Sequence, residues 1–397
     1  MSTMKKVLGL AKPVFVLGIV SLLTDLSSEM IYPILPLFLA NTIGASAAFI
    51  GLVEGIAEST ASLLRVFSGW ISDRFNRRKE LLVAGYGLSS IVKPFLALAI
   101  TGWNVLGLRF LDRLGKGVRG APRDAMIADV TEANERGKAF GYHRAMDTVG
   151  AILGPGVTFI LLAIFSDSYR TIFLFSAIPA FLAVAVIIFA VKENRTSEPR
   201  SFTNGSKASL SFKGLSSPFI LLLVIIGIFT IGNSSDAFLL LRAQNVGVTT
   251  MHVPLVWLFF NLVYTLVAIP AGKWSDKVGR RRVILTGFGI YALSYLGFAF
   301  ASMWWHIWFL FGIYGCYYGM TEGVIRAYIA DVVPASNRAT SYGVYSFVTG
   351  ILLFPANLLT GLIWKYAGPS AAFSLGAALA LISAVSFYIF SQRLGNK

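Results

Sequence analysis

Gly69-Trp70-Ile71-Ser72-Asp73-Arg74-Phe75-Asn76-Arg77-Arg78 stands in the first half of the chain. Gly272-Lys273-Trp274-Ser275-Asp276-Lys277-Val278-Gly279-Arg280-Arg281 stands in the second. Each copy puts an aspartate four residues after a glycine and surrounds it with basic residues. Each lies between two apolar stretches, so each reads as a short basic loop joining two membrane helices. Other matches keep the same order. Ile127-Ala128-Asp129 recurs as Ile329-Ala330-Asp331, Arg136 and Gly141 recur as Arg338 and Gly343, and Ser27-Ser28-Glu29 recurs loosely as Ser234-Ser235-Asp236. Several matches in one order signal a duplicated unit.

Outward from these loops the sequence is apolar almost throughout. Of 397 residues, 56% are hydrophobic and 13% charged, whereas soluble domains carry about 25% charged residues. Such a chain cannot keep its surface in water, and a bilayer is its natural solvent. Runs of about 20 mainly apolar residues predict twelve spans. They cover approximately Val14–Asn41, Ala47–Ile71, Leu81–Thr101, Asn104–Ala128, Gly141–Phe165 and Arg170–Val191. The second set covers approximately Ser217–Leu241, Val253–Ser275, Val283–Met303, Trp305–Asp331, Ser341–Lys365 and Pro369–Ser391. Lys192–Ser216, rich in Ser, Lys and Arg, reads as a flexible linker. The expected fold is therefore an all-α membrane protein. It has a six-helix bundle over 1–191, a linker over 192–216 and a pseudo-symmetric six-helix bundle over 217–397.

The net charge of +15 has the sign of a nucleic-acid binder, but its placement argues against one. The gaps after spans 2, 4, 6, 8 and 10 hold Arg74, Arg77, Arg78, Lys79, Arg136, Lys138, Lys192, Lys277, Arg280, Arg281, Arg282 and Arg338. The opposite gaps hold only Arg170, Arg242 and Lys365, at their edges. This bias predicts a cytoplasmic membrane protein with both termini and the linker in the cytoplasm. The single cysteine, Cys316, excludes an internal disulfide or a cysteine-based metal cluster. Lys5-Lys6 and the apolar run after it look superficially like a signal peptide. The run is too long for one and reads as the first span.

The two basic loops resemble the G-x-x-x-D-R-x-G-R-R loop of the major facilitator superfamily, with Asn76 in place of a glycine. Asn tolerates left-handed backbone, so the turn survives. In that family the loop latches the cytoplasmic side. The resemblance implies this role for Gly69, Asp73, Arg74 and Arg77, and for Gly272, Asp276 and Arg280 in the copy. On the plainer reading these arginines only set topology. In span 4, Arg109-Phe110-Leu111-Asp112-Arg113-Leu114-Gly115-Lys116-Gly117 resembles the family's R-F-L-x-G-x-G-x-G motif, with Arg113 at a commonly small position. At about 100° per residue, Arg109, Asp112, Arg113, Lys116, Arg119 and Arg123 share roughly a third of the helix circumference. Such a stripe cannot face lipid. Arg123 reads as sitting at the cytoplasmic end.

Span 1 carries Asp25 and Glu29 one helical turn apart, then Pro33 and Pro36, which resemble the P-x-x-P of drug:proton antiporters. Apolar surroundings raise a carboxyl pKa and a nearby arginine lowers it. A carboxyl balanced between the two can load and release a proton. Span 2 carries Glu54 and Glu58 with Arg65 on the same face; these acids either line a substrate cavity or neutralise the arginines of span 4. Span 5 carries Gly141, Gly150, Gly154 and Pro155, which resemble the antiporter motif of exporters. Thr158-Phe159 replaces that motif's final Gly-Gly pair. A generic packing seam explains the same glycines. His143, Arg144 and Asp147 precede the seam. The second half offers Asp236, Asn261, Glu322 and Arg326.

No nucleotide-binding loop is present, because Gly115-Lys116-Gly117-Val118-Arg119-Gly120 lacks the required spacing. No cofactor, metal site or enzyme chemistry is expected. The resemblance implies a proton-coupled secondary transporter working by alternating access, monomeric in the bilayer, exporting a small organic molecule. Asp25, Glu29, Arg109 and Arg113 would couple protons. Glu54, Glu58, Asp112, Lys116, Arg144, Asp147, Asp236, Asn261, Glu322 and Arg326 would line the cavity. Two alternatives stay open. One is an importer of a polar or carboxylate-bearing metabolite or a metal chelate. The other is a membrane sensor or scaffold without flux, which would need a soluble module the sequence does not show.

Overall fold

The computed structural model describes residues 6–7, 9–75, 77–132, 135–165, 168–191, 215–334 and 337–395. The described residues are almost entirely helical. After a short pairing of Lys6–Val7 with Leu10–Ala11 come α1 (Lys12–Ile31), α2 (Leu35–Leu37), a π-helical turn (Phe38–Thr42), α3 (Ala47–Phe75), α4 (Arg78–Leu96), α5 (Gly102–Asp129), α6 (Arg136–Ile164) and α7 (Tyr169–Ala190). The second half holds α8 (Ser217–Gly232), α9 (Asp236–Asn245), α10 (Val253–Val278), α11 (Arg280–Phe300), α12 (Trp304–Val332) and α13 (Arg338–Gly395). The fold is two six-helix bundles. The first span is α1, α2 and the π turn together; the seventh is α8 with α9. The last two form α13, which bends at Gly368, where φ is 86°. Only glycine takes that conformation readily, and Pro369 behind it cannot continue a helical hydrogen-bond ladder.

Eight described helices are long and apolar enough to cross a membrane. α4, α5 and α12 are not among them: charges interrupt the apolar runs of α4 and α5, and α12 mixes Trp, Tyr, Gly and His with its apolar residues. Large apolar side chains point outward, such as Phe189 of α7, 84% exposed. In water such a surface would be untenable; in lipid it is the ordinary one. The protein is a multi-pass membrane protein.

By contacts the chain forms two compact units. One comprises Met1–Phe38 and Thr60–Ser206, the other Leu39–Ser59 and Lys207–Lys397. In the first, α1 packs on α6 and α7, and α4 on α5 and α7. In the second, α8 packs on α13, α10 on α12, and α11 on α12 and α13. The pairings repeat, as the duplicated motifs require. A Cβ on Gly85 of α4 would fall 2.7 Å from the Gly115 carbonyl oxygen of α5, so two glycines let these backbones touch.

Both halves break a helix at a comparable place. The first span breaks over Tyr32–Ile34 between α1 and α2, where Pro33 and Pro36 remove two donors. The seventh breaks over Asn233–Ser235, and Ser235 Oγ caps α9 by accepting from Ala237 N at 3.3 Å. Both halves also use an arginine to close a helix end. Arg170 donates to the carbonyls of Ala97 and Ala99 at 3.0 Å. Arg242 donates to those of Phe298 (2.9 Å), Ala299 (3.3 Å) and Ala301 (2.8 Å). These guanidinium groups satisfy the orphan carbonyls past α4 and α11 and complement the negative ends of their dipoles.

Candidate functional site

The acids of α1 lie against the glycines of α6. A Cβ on Gly150 would fall 2.9 Å from Asp25 Cβ and 2.6 Å from the Leu22 carbonyl oxygen. One on Gly154 would fall 2.7 Å from Glu29 Cβ and 2.8 Å from the Leu26 carbonyl oxygen. Thr158, where the antiporter motif would continue with glycine, donates to the Met30 carbonyl at 2.9 Å and extends the seam. The sequence shows Asp25 and Glu29 one turn apart, and Gly150 and Gly154 one turn apart. The structure brings the two pairs into register. Gly141 is not part of this seam: open space surrounds its Cβ position. Pro155 is buried within α6.

Asp147 joins the same seam, accepting a hydrogen bond from Ser21 of α1. His143 lies one turn before it, with Nδ1 3.6 Å from Asp147. His143 is buried, and its Nε2 has no hydrogen-bond partner among the described residues. Arg144, next to it, is exposed.

The basic stripe of α5 is largely inside the protein. Arg109 and Arg113 are 5% and 6% exposed, and Arg119 is 7% exposed. Charges this deep need countercharges or hydrogen bonds. Asp112 lies 3.5 Å from Arg109. Arg119 donates to Ser89 Oγ at 3.0 Å and stacks over the Tyr86 ring at 4.3 Å. Arg123 pairs with Asp124 at 3.0 Å, and Arg65 of α3 reaches the same aspartate at 2.9 Å. Arg119 is thus an interior residue. Lys116 is exposed. Lys93 of α4 does not stand out by sequence. It is buried at 3% exposure and donates to Ser27 and Ser28 of α1. A lysine inside an apolar run next to Pro94 was the available signal.

In the second unit the acids end an aromatic face. Asp236 accepts from Tyr314 OH at 2.6 Å, and Glu322 accepts from Tyr264 OH at 2.5 Å. Between them lie Phe260 and Tyr318, with ring centroids 5.4 Å apart and each 5.4 Å from the Tyr314 ring. Arg326 is 4.0 Å from Glu322. Asn261 turns its amide onto its own helix, donating to the Trp257 carbonyl at 3.1 Å. Glu54 is 2% exposed and accepts from Ser235 Oγ at 3.4 Å within this same unit. Glu58 is half-buried.

The side chains of Asp73 and Arg74, and the surroundings of Gly69, lie outside the described residues, as does most of the 192–216 linker. What is described around the basic loops includes an ion pair between helices in each half. Arg78 pairs with Asp129 at the end of α5, and Arg280 pairs with Asp331 near the end of α12. Arg280 also lies 3.8 Å from Asp276, and Arg77 lies 3.3 Å from Glu80. Gly272 has open space at its Cβ position. Asp129 and Asp331 were visible by sequence as the repeated Ile-Ala-Asp, but their role was not. The first pair is the better shielded, its side chains 11% and 36% exposed against 29% and 54% for the second. Asp129→Asn should therefore cost about 1–2 kcal/mol and Asp331→Asn less than about 1 kcal/mol. Thermal unfolding in detergent measures both, and equal losses would contradict this ranking.

Known proteins resemble this chain over nearly its whole length. The family description "Major Facilitator Superfamily" matches residues 17–259 and 237–396. An uncharacterised transporter of this type from Methanocaldococcus jannaschii is 36% identical over 380 residues, covering 94% of both chains. Multidrug resistance protein 2 of Bacillus subtilis is 24% identical, covering 71% of each. Among solved structures, a POT family transporter in complex with 5-aminolevulinic acid shares the fold with TM-score 0.83 at 14% identity, over 98% of both chains. The nucleoside transporter NupG does so with TM-score 0.76 at 15% identity, over 95% of this chain and 98% of its own. The chain is a transporter, not an enzyme, and it belongs to the major facilitator superfamily.

Proposed function

We propose that the chain is a proton-coupled secondary transporter that works by alternating access and exports a small organic molecule across the cytoplasmic membrane. The observation that carries this reading is the α1–α6 seam. Two carboxyl groups, Asp25 and Glu29, sit one turn apart where Gly150 and Gly154 bring another helix against their Cβ atoms. Carboxyls in such a place respond strongly to small changes of surroundings, because burial favours the neutral form and cations the ionised one. The basic stripe of α5 supplies the cations, Lys116, Arg119 and Arg123 facing Asp25 and Arg109 and Arg113 lying deeper in the same stripe. Asp73 with its basic loop, and Asp276 with its copy, act as the cytoplasmic latch. The positive-inside bias puts both termini and the 192–216 linker in the cytoplasm, between bundles at 1–191 and 217–397. The protein works as a monomer.

The half-buried rings of Tyr264 and Tyr318, backed by the buried Phe260 and Tyr314, support an organic substrate, since flat rings offer stacking surface to many shapes. The relative named multidrug resistance protein 2 supports export. A second reading, import of a carboxylate-bearing metabolite, is favoured by the buried Arg109 and Arg113. One experiment separates them. A thermal-shift screen against drugs, metabolites and chelates first identifies a ligand. Transport of that ligand is then followed in inside-out membrane vesicles under an imposed pH gradient. Export predicts ligand uptake into acid-loaded vesicles, collapsing when a protonophore removes the gradient. Ligand movement indifferent to the gradient would rule out proton coupling.

A further inference from the structure

Lys93 of α4 is 3% exposed, and the coupling scheme gives it no task. Its Nζ donates to Ser27 Oγ at 2.5 Å and to Ser28 Oγ at 3.2 Å, both on α1. Ser27 Oγ in turn donates its own proton to the Ser176 carbonyl of α7 at 2.5 Å, which leaves its lone pairs for the amine. No carboxylate lies within ion-pair distance of Nζ among the described residues. Hydroxyl groups alone are poor company for a buried ammonium, which is costly to hold without an opposite charge.

Asp25 has the complementary deficit. It is half-buried on α1, packed against Gly150. It has no hydrogen-bond or ion-pair partner among the described residues. Asp25 and Ser28 are three apart on one helix, so their Cβ atoms are about 5–6 Å apart. A lysine arm of four methylenes spans that by rotating its own bonds.

The charges around the pair come from three helices. Toward Lys93, α5 presents Asp112, Arg113 and Arg119, and α1 presents Asp25. Toward Asp25, α5 presents Lys116, Arg119 and Arg123, and α6 presents Asp147. Several are already engaged: Asp112 with Arg109, Arg119 with Ser89 and Tyr86, Arg123 with Asp124, and Asp147 with Ser21. An opposite pair is left side by side and unjoined.

We propose that Lys93 is the cation that closes on the Asp25 carboxylate when that carboxyl gives up its proton, and that Ser27 and Ser28 hold the amine while Asp25 is protonated. This rests on the proposed coupling role of the α1 acids. The step balances. Asp25 loses its proton to water, the two hydrogen bonds to serine break, and one salt bridge forms in their place. Reprotonation reverses it. Because Ser27 also binds α7, each exchange alters the tie among α1, α4 and α7, so the protonation state of one carboxyl is communicated to three helices.

The test uses the full-length purified protein in detergent, without added ligand. Infrared spectroscopy follows the carboxylic C=O stretch, which only protonated carboxyls show, across a pH series. The component missing in Asp25→Asn reports Asp25. With Lys93→Met, its midpoint should rise by about one pH unit or more, a tenfold gain in proton affinity, because the carboxylate has lost its partner. Lys93→Arg should keep it near wild type. Ser27→Ala with Ser28→Ala, where Lys93 is intact, should lower it, because the amine has lost its other seat. A purely structural lysine would lower the melting temperature in Lys93→Met and leave the midpoint in place. An unmoved midpoint in either the lysine or the double serine variant overturns the proposal. Absence of any component sensitive to Asp25→Asn would instead overturn the coupling role of Asp25, and this proposal with it.

Discussion

Asp25→Asn and Glu29→Gln combined should reduce proton-driven accumulation of ligand to background while ligand binding stays within about 1 kcal/mol of wild type. Both changes keep the shape of the side chain and remove only the capacity to ionise, so the α1–α6 seam, built on Cβ and backbone contacts, is preserved. Binding should also lose its dependence on pH, because the groups that exchange a proton are gone. Glu29→Gln alone, at the Ser-Ser-acid pattern echoed at Asp236, should carry the larger share. Arg119→Ala, which removes a cation facing Asp25, should act in the opposite sense. With that guanidinium removed, the neighbouring carboxyl keeps its proton to higher pH, and transport stalls with the acid protonated. The measurement is ligand binding and proton release in detergent as a function of pH, variant against wild type. An unaltered pH profile in the double variant would remove α1 from coupling and direct attention to Glu54, Glu58 and Asp147.

The second large effect separates three glycines that the motif treats alike. Gly154→Val should sharply destabilise the protein, because a Cβ there meets the Leu26 carbonyl oxygen at 2.8 Å and Glu29 Cβ at 2.7 Å. Backbone cannot step aside as the tip of a flexible side chain can, and overpacking of this kind costs about 1–3 kcal/mol or more. Gly150→Val should behave similarly, with the Leu22 carbonyl oxygen 2.6 Å away. Gly141→Val, in open space on the same helix, should be tolerated, and removing a mid-helix glycine offsets part of any loss. Detergent melting curves and vesicle transport distinguish the three. A Gly154 variant with wild-type melting and transport would mean the seam opens readily, and its glycines would then say little about mechanism.

Much of the fold was legible because the bilayer imposes a simple rule: apolar runs of sufficient length become helices. The twelve spans, the duplication and the basic loops all follow from residues near one another in sequence. The partners across helices were less accessible. Asp129 and Asp331 could be seen to repeat, but only the structure joins them to Arg78 and Arg280. Glu54 and Glu58 read by sequence either as cavity-lining acids or as neutralisers of the span 4 arginines, and the contact of Glu54 with Ser235, far along the chain, is visible only in the structure. Lys93 escaped because a single cation does not interrupt the hydropathy of a span, and its serine partners are ordinary residues of another helix. Asn261 was a plausible cavity donor by type, but its amide is committed to the Trp257 carbonyl. Helical periodicity tells which residues share a face; it does not tell which neighbour that face meets.

The arginines that close α4 and α11 bear on biogenesis. On the proposed orientation, Arg170 and Arg242 are among the few cations that must be carried outward through the membrane during insertion. Each is costly to translocate as a bare charge, and the carbonyls that later receive it belong to helix ends that only folding brings near. The stabilisation thus arrives after the barrier, so synthesis and maturation place opposite demands on the same two residues. Replacing either by a neutral residue would ease passage through the insertion machinery and yet yield a less durable product. Expression level and detergent half-life would then move in opposite directions.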